Sequence, residues 1–224
     1  MCAEMTTEME LEGARQMLGT LAGLRRRSLT IDELGVNERA PYDLLCLREA
    51  LTWRTVEVGG AARGAIVAGD FAVAIILGRS LTESVALLWA LRDLLANRDP
   101  IKGIDADKLM RMQFGMKATS FEDNKPTPIN ILTHLDRLDK EVPGIRRAYD
   151  NLSEVAHPNW MGVLNHFAKQ DLPNSITRFG RGFESEVLAG LTADLLLASL
   201  KLFWVAHSAI TREMPVYLNE CSKS

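Results

Sequence analysis

The sequence predicts an all-α protein, a helical bundle of about six to seven helices that takes up residues 1–224 as a single domain. Three observations carry this. Apolar residues recur at i, i+3 and i+4 through most of the chain. Two segments, 70–97 and 184–212, are apolar on nearly every side of a helical wheel, and such helices are buried all round. The alternation of strands with helices that builds a parallel sheet is absent. The 224 residues are 47% apolar and 25% charged, which supports a large core without disulfides or metals.

The elements follow in order. Met5 to Arg26 reads as a helix with Met9, Ala14, Met17, Leu18, Leu21 and Leu24 on one face. Pro41 suits a first helical position, and a helix should run from it to about Val58, where Gly59 and Gly60 bend or break it or mark a close crossing. Asp70 to Asn97 should be the central helix. Asp105 or Asp107 starts a further helix to about Ala118, and a loop with Pro126 and Pro128 follows. Helices are expected over Ile129–Glu141 and Gly144–Ala156, the second stopped by Pro158. A short β-hairpin is expected within 162–179, with strands near 162–168 and 175–179 around the turn signal Leu172-Pro173-Asn174-Ser175. Glu184 to Arg212 is a second long buried helix, with Asp194, Lys201 and Ser208 on one narrow stripe. Pro215 to Cys221 reads as a short tail.

Composition excludes several classes. A net charge of −3 is not that of a general nucleic-acid binder. The one basic run, Arg25 to Arg27, suits a helix C-terminus. Three separated cysteines, Cys2, Cys46 and Cys221, form no metal or disulfide pattern and fit a reducing compartment. The acidic N-terminus lacks the apolar stretch of a signal peptide. Two apolar runs contain Asp70 and, in the second, Asp194, Lys201 and His207, which are costly at mid-bilayer. Both are read as buried helices of a soluble, cytoplasmic protein without a membrane partner. No metal spacing and no cofactor fingerprint appears, so neither group is expected.

The informative residues are polar ones in this apolar frame. On the helix over 145–157, Arg146, Asp150, Ser153 and His157 form an arc at the edge of the buried face. Ser153 and His157 are i,i+4 neighbours, and a histidine there can act as acid or base near neutral pH. It can equally cap the helix before Pro158. Arg79 and Glu83 form an i,i+4 pair within the central helix. Charges in that setting must be paired, and Asp70, Thr82, Tyr149, His157 or Asp194 are available to join them. The set marks either a register-fixing network or a pocket of Arg79, Glu83, Tyr149, Ser153, His157 and Asn159. His207 is expected to be a satisfied core residue.

The stretch Tyr149-Asp-Asn-Leu-Ser153-Glu-Val-Ala-His157-Pro158-Asn159, with the earlier Arg79-x-x-x-Glu83, resembles a segment of uncharacterised bacterial all-helical proteins. More distantly it resembles the HEPN superfamily of helical proteins. The HEPN resemblance implies a helical fold and metal-independent ribonuclease or toxin activity, with Arg and His brought together across a homodimer. His157 would then be the catalytic acid–base residue, and Arg79 or Arg146 would stabilise phosphate charge. Arg146 and Arg147 stand farther upstream of His157 than the superfamily's short Arg-to-His spacing. Three expectations result: a helical-bundle homodimer binding a small polar or nucleotide-like ligand or a partner protein, a HEPN-like ribonuclease acting on RNA, or a purely structural interaction module.

Overall fold

The computed structural model describes residues 2–36, 38–115, 126–181 and 185–223. Among them the chain runs through α1 (Cys2–Leu24), a 3-10 turn (Asp32–Leu34), α2 (Arg39–Val67), α3 (Phe71–Ala96) and α4 (Ala106–Phe114). It continues through α5 (Ile131–Glu141), α6 (Ile145–Ala156), a π-helical turn (Trp160–Leu164) and the single-turn α7 (Asn165–Phe167). The hairpin strands β1 (Ala168–Asp171) and β2 (Ile176–Phe179) and the long α8 (Ser185–Cys221) complete it. The bundle class holds. The described residues contain eight α-helices instead of six to seven, the extra one being α7, in a stretch expected to be strand.

α3 needs neighbours on every side because its apolar residues point every way, and from Leu81 to Leu95 it has them, whereas Val73 and Ile76 in its first turns are about half exposed. α8 and α2 flank it along most of its length, while α5, α6 and α4 cover the rest. Leu81, Val85, Leu88 and Leu91 are fully buried at the centre of the core. α1 lies on α2 and α8 and buries Ala14, Leu18 and Leu21. Side-chain caps set two of the shorter helices. Asp105 accepts the Lys108 N–H at the start of α4, and Asn130 accepts the Leu132 N–H at the start of α5.

By length and composition, α3 and the 187–221 portion of α8 could each cross a bilayer. Burial separates them: 56% of the most apolar window of α3 is inside the bundle against 33% for α8. α3 is thus a core helix, whereas α8 keeps an outward stripe that includes Val187, Leu191, Asp194, Ala198, Lys201 and Val205. The second helix is long but not buried all round.

Several boundaries differ from expectation. α2 passes through Gly59 and Gly60 unbroken. A Cβ on Gly59 would stand 3.0 Å from Leu18 Cδ2 and 3.4 Å from Leu200 Cδ2, so the missing side chain lets α2 cross α1 and α8 closely. α8 continues through Pro215 to Cys221, so the expected tail is helix. Met214 and Tyr217 are buried there, and Arg98 bonds both Glu213 (2.8 Å) and Glu220 (2.7 Å). That packing offsets the hydrogen bond proline cannot make. α4 stops at Phe114; residues 116–118 lie outside the described ones, as do 182–184 before α8.

The hairpin strands occupy 168–171 and 176–179, around the expected turn at 172–175, with Ala168 opposite Phe179 and Asp171 opposite Ile176. The first strand does not reach back to 162. There Asn159 Oδ1 accepts the Gly162 N–H at 3.0 Å and the chain coils on itself. A Cβ at Gly162 would lie 2.1 Å from the His157 carbonyl oxygen, so only glycine permits this fold-back onto the end of α6.

The two α2 glycines should respond oppositely to substitution. Gly60 faces open space, so Gly60→Ala should stabilise by about 0.5–1 kcal/mol through helix propensity. Gly59→Val should cost about 1–3 kcal/mol by overpacking. Urea denaturation of both variants checks the pair; a stable Gly59→Val would show that the crossing is loose.

Candidate functional site

The expected pair on α3 becomes a three-residue junction with α6. Arg79 donates from Nη2 (3.1 Å) and Nε (3.3 Å) to the Tyr149 hydroxyl. That hydroxyl donates to Glu83 Oε1 at 2.9 Å, while Arg79 Nε lies 3.6 Å from the same oxygen. Tyr149 is buried at 3% exposure, and the side chains of Arg79 and Glu83 each keep 31%. The phenol therefore relays between two charges half in water. Its effect is to clamp α6 onto α3.

The remaining members of the expected pocket lie elsewhere on α6. Ser153 donates to the Tyr149 carbonyl at 2.9 Å, a bond within the helix. His157 is the C-cap: its backbone N–H donates to the Ser153 carbonyl at 3.1 Å, and its side chain is exposed. Eight residues separate it from Tyr149, about 12 Å along a helix axis. No hydrogen bond or ion pair among the described residues joins its ring to Arg79 or Glu83. Asn159 ties the π-helical turn to α6, accepting from Gly162 and donating to Glu154 Oε2 at 2.9 Å.

The other residues available to the α3 pair have different partners. Thr82 donates to the Gly78 carbonyl, Asp70 pairs with Arg181, and Arg146 pairs with Asp136 and Asp150. Asp194 lies beside Glu10 of α1. Burial, followed by hydrogen bonding with and repulsion from Asp194, pushes the Glu10 carboxyl up to about 7.

A second polar cluster escaped sequence reasoning. Arg48 and Glu49 are both buried at 8% exposure and joined at 2.6 Å. Glu49 also accepts the Arg26 N–H beyond the end of α1, and Arg48 donates to Thr211 of α8. Adjacent residues on a helix do not normally face one another, which hid the pair. Two interrupting charges in the otherwise apolar run Leu44–Leu51 were its one signal. His207, stacked beside Phe203, is buried as expected, yet its Nε2 has no partner among the described residues. Burial, then the nearby Arg48, pushes its imidazole down to about 4. His134 of α5 is likewise pushed to about 4 by burial, then by Arg137 and Lys108.

The surface beside the junction is a groove of about 670 Å³. Ile75 of α3, Leu152 and Val155 of α6, Leu188, Leu191 and Leu195 of α8, and Met161 form its apolar lining. Among the described residues its charged lining residues are Glu154 and Asp194. Tyr149 sits next to the lining residue Ala148, so the clamp holds the α6 wall in place. Among the described residues no three His, Cys, Asp or Glu side chains converge for a metal. Comparison of the chain with protein-family profiles, curated proteins and solved structures finds no match.

Two outcomes are expected. Tyr149→Phe removes the bridge and should cost about 1 kcal/mol, since the junction is half solvated; chemical denaturation measures it, and a change within error would show that the clamp does not hold in solution. His134 and His207 stay neutral in the fold down to about pH 4 but bind protons below about 6.5 when unfolded. The unfolded state then holds more protons, so their contribution is complete above pH 6.5 and lost as pH falls toward 4, on the order of 3 kcal/mol each at full development. Glu10 acts the opposite way between about 4.5 and 7. The readout is therefore the difference in pH slope between the parent and His134→Gln/His207→Gln, whose curve should be flatter on the acid side; equal slopes would contradict the assignment.

Proposed function

We propose that the protein is a non-catalytic helical interaction module whose α3–α6–α8 groove takes an apolar polypeptide segment. The observation that carries this is the groove itself, open and apolar, with two carboxylates and no cation in its lining among the described residues. The Arg79–Tyr149–Glu83 junction supports the reading as a brace for one wall. In this proposal the polar set fixes the position of α6, and Asn159 fixes the turn that supplies Met161.

A small polar or nucleotide-like ligand at the junction is a second reading, favoured by the one-third exposure of Arg79 and Glu83. The HEPN-like ribonuclease reading would use His157 as acid–base residue. Exposure of that ring favours it, and the engagement of Arg79 by Tyr149, some two helical turns away, does not. We assign the protein to a reducing cytoplasm, which the unpaired thiols of Cys46 and Cys221 support.

Two measurements test the module reading. The neutral apolar dye Nile red should bind and shift to the blue, and Leu191→Asp, at an exposed groove position, should abolish this while the melting temperature holds. Single-stranded and hairpin RNAs should remain intact on incubation with the protein. Cleavage that disappears in His157→Ala would replace the module with the nuclease.

A further inference from the structure

The hairpin is exposed in a way that a two-stranded ribbon does not sustain alone. Every residue of β2 is exposed, and β1 has only its two end residues half-buried. Among the described residues the ribbon packs chiefly on the π-helical turn. Isolated two-stranded hairpins are marginal in water. Here the register also sets Lys169 directly opposite Arg178, a like-charge pair that destabilises the ribbon. Neither cation has an ion-pair partner among the described residues, whereas Arg181 has Asp70 and Asp171 is used in the turn, where it accepts from Asn174. Opposed residues share a face of the ribbon, so Lys169, Arg178, Ile176 and Asp171 project together, with Asp171 held by Asn174. Leu172, 77% exposed, stands at the tip.

The groove has the complementary character: an apolar lining, with Glu154 and Asp194 as its charges. Asp194 already lies against Glu10, so two carboxyl groups meet at that edge. A cation brought to that edge relieves the repulsion. The ribbon offers two cations side by side, with Ile176 and then Leu172 beyond them toward the tip. An anionic lipid surface would suit the ribbon but not the acidic, concave groove.

We propose that the 168–179 hairpin of one copy docks in the α3–α6–α8 groove of a second copy, with Lys169 and Arg178 against Glu154 and Asp194. Leu172 and Ile176 enter the apolar lining. A two-fold pair makes the contact twice, the same patch serving on both copies. This rests on the groove being a polypeptide site, and it names the occupant.

Sedimentation velocity and light scattering across the micromolar range test it. The full chain should be a dimer. Leu172→Asp/Ile176→Asp, Arg178→Glu and Glu154→Lys should each raise the dissociation constant more than tenfold, with unchanged far-ultraviolet circular dichroism, since all four positions lie at the surface of the bundle. Combining Arg178→Glu with Glu154→Lys restores opposite charges across the contact and should recover part of the affinity. A monomer at every concentration, or a dimer indifferent to these variants, overturns the proposal. So does a monomer that sediments with phosphatidylglycerol vesicles through Lys169 and Arg178, which would assign the ribbon to a lipid surface. Nile red separates the two levels of inference. Brighter dye binding in Leu172→Asp/Ile176→Asp than in the parent supports a groove vacated by its hairpin. Equal, Leu191-dependent binding in both leaves the groove reading intact and removes the second copy as its occupant.

Discussion

Hydrophobic burial of α3 from Leu81 to Leu95 is the constraint around which this molecule is organised. Leu81, Ala86, Leu91 and Leu94 are all buried, and at 100° per residue they point in different directions around one helix. Water on any flank would expose large aliphatic side chains, each worth about 1.5–3 kcal/mol when buried. α2, α8, α5, α6 and α4 therefore surround it, and the order of the remaining elements follows from which flank each covers. The glycine at 59 belongs to the same constraint, because α2 can lie close to α1 and α8 only where no side chain intervenes.

Charges enter this frame where an element must be pinned at a particular position. Apolar packing alone tolerates sliding and rotation, whereas a bidentate or bridged charge does not. Arg98 pins the last turns of α8 through Glu213 and Glu220. Arg92 and the Trp89 indole pin α5 through Glu141. Arg48 and Glu49 link α2 to α8 and to the chain leaving α1. The Arg79–Tyr149–Glu83 junction does the same for α6. Each of its charges keeps 31% of its side-chain surface, so a small solute can reach it.

The chemistry that would make an enzyme of this arrangement is dispersed along α6. Tyr149 takes the arginine, Ser153 satisfies its own helix, and His157 ends the helix facing water. What the fold concentrates in one place is apolar surface: the groove beside α6 and the uncovered ribbon just after it in the chain. A surface with apolar lining and one sign of charge, beside a ribbon with apolar side chains and the other sign, is the physical basis for reading the protein as an interaction module.

Helix class, most helix starts, the hairpin turn at 172–175 and the Arg79–Glu83 pairing were legible in the chain because each depends on residues within a few positions of one another. Periodicity and i,i+4 spacing are local quantities. The continuity of α2 through two glycines and of α8 through Pro215 was not legible, since distant surfaces decide whether burial outweighs a weak propensity. The same holds for the site. Tyr149 joined Arg79 and Glu83 because α6 packs on α3, and His157 did not because the α6 axis carries it past the junction. Adjacent Arg48 and Glu49 met only where α2 and the end of α1 enclosed them. Local sequence set which segments are helical and which residues are charged; the packing of helices far apart in the chain decided which of those charges meet.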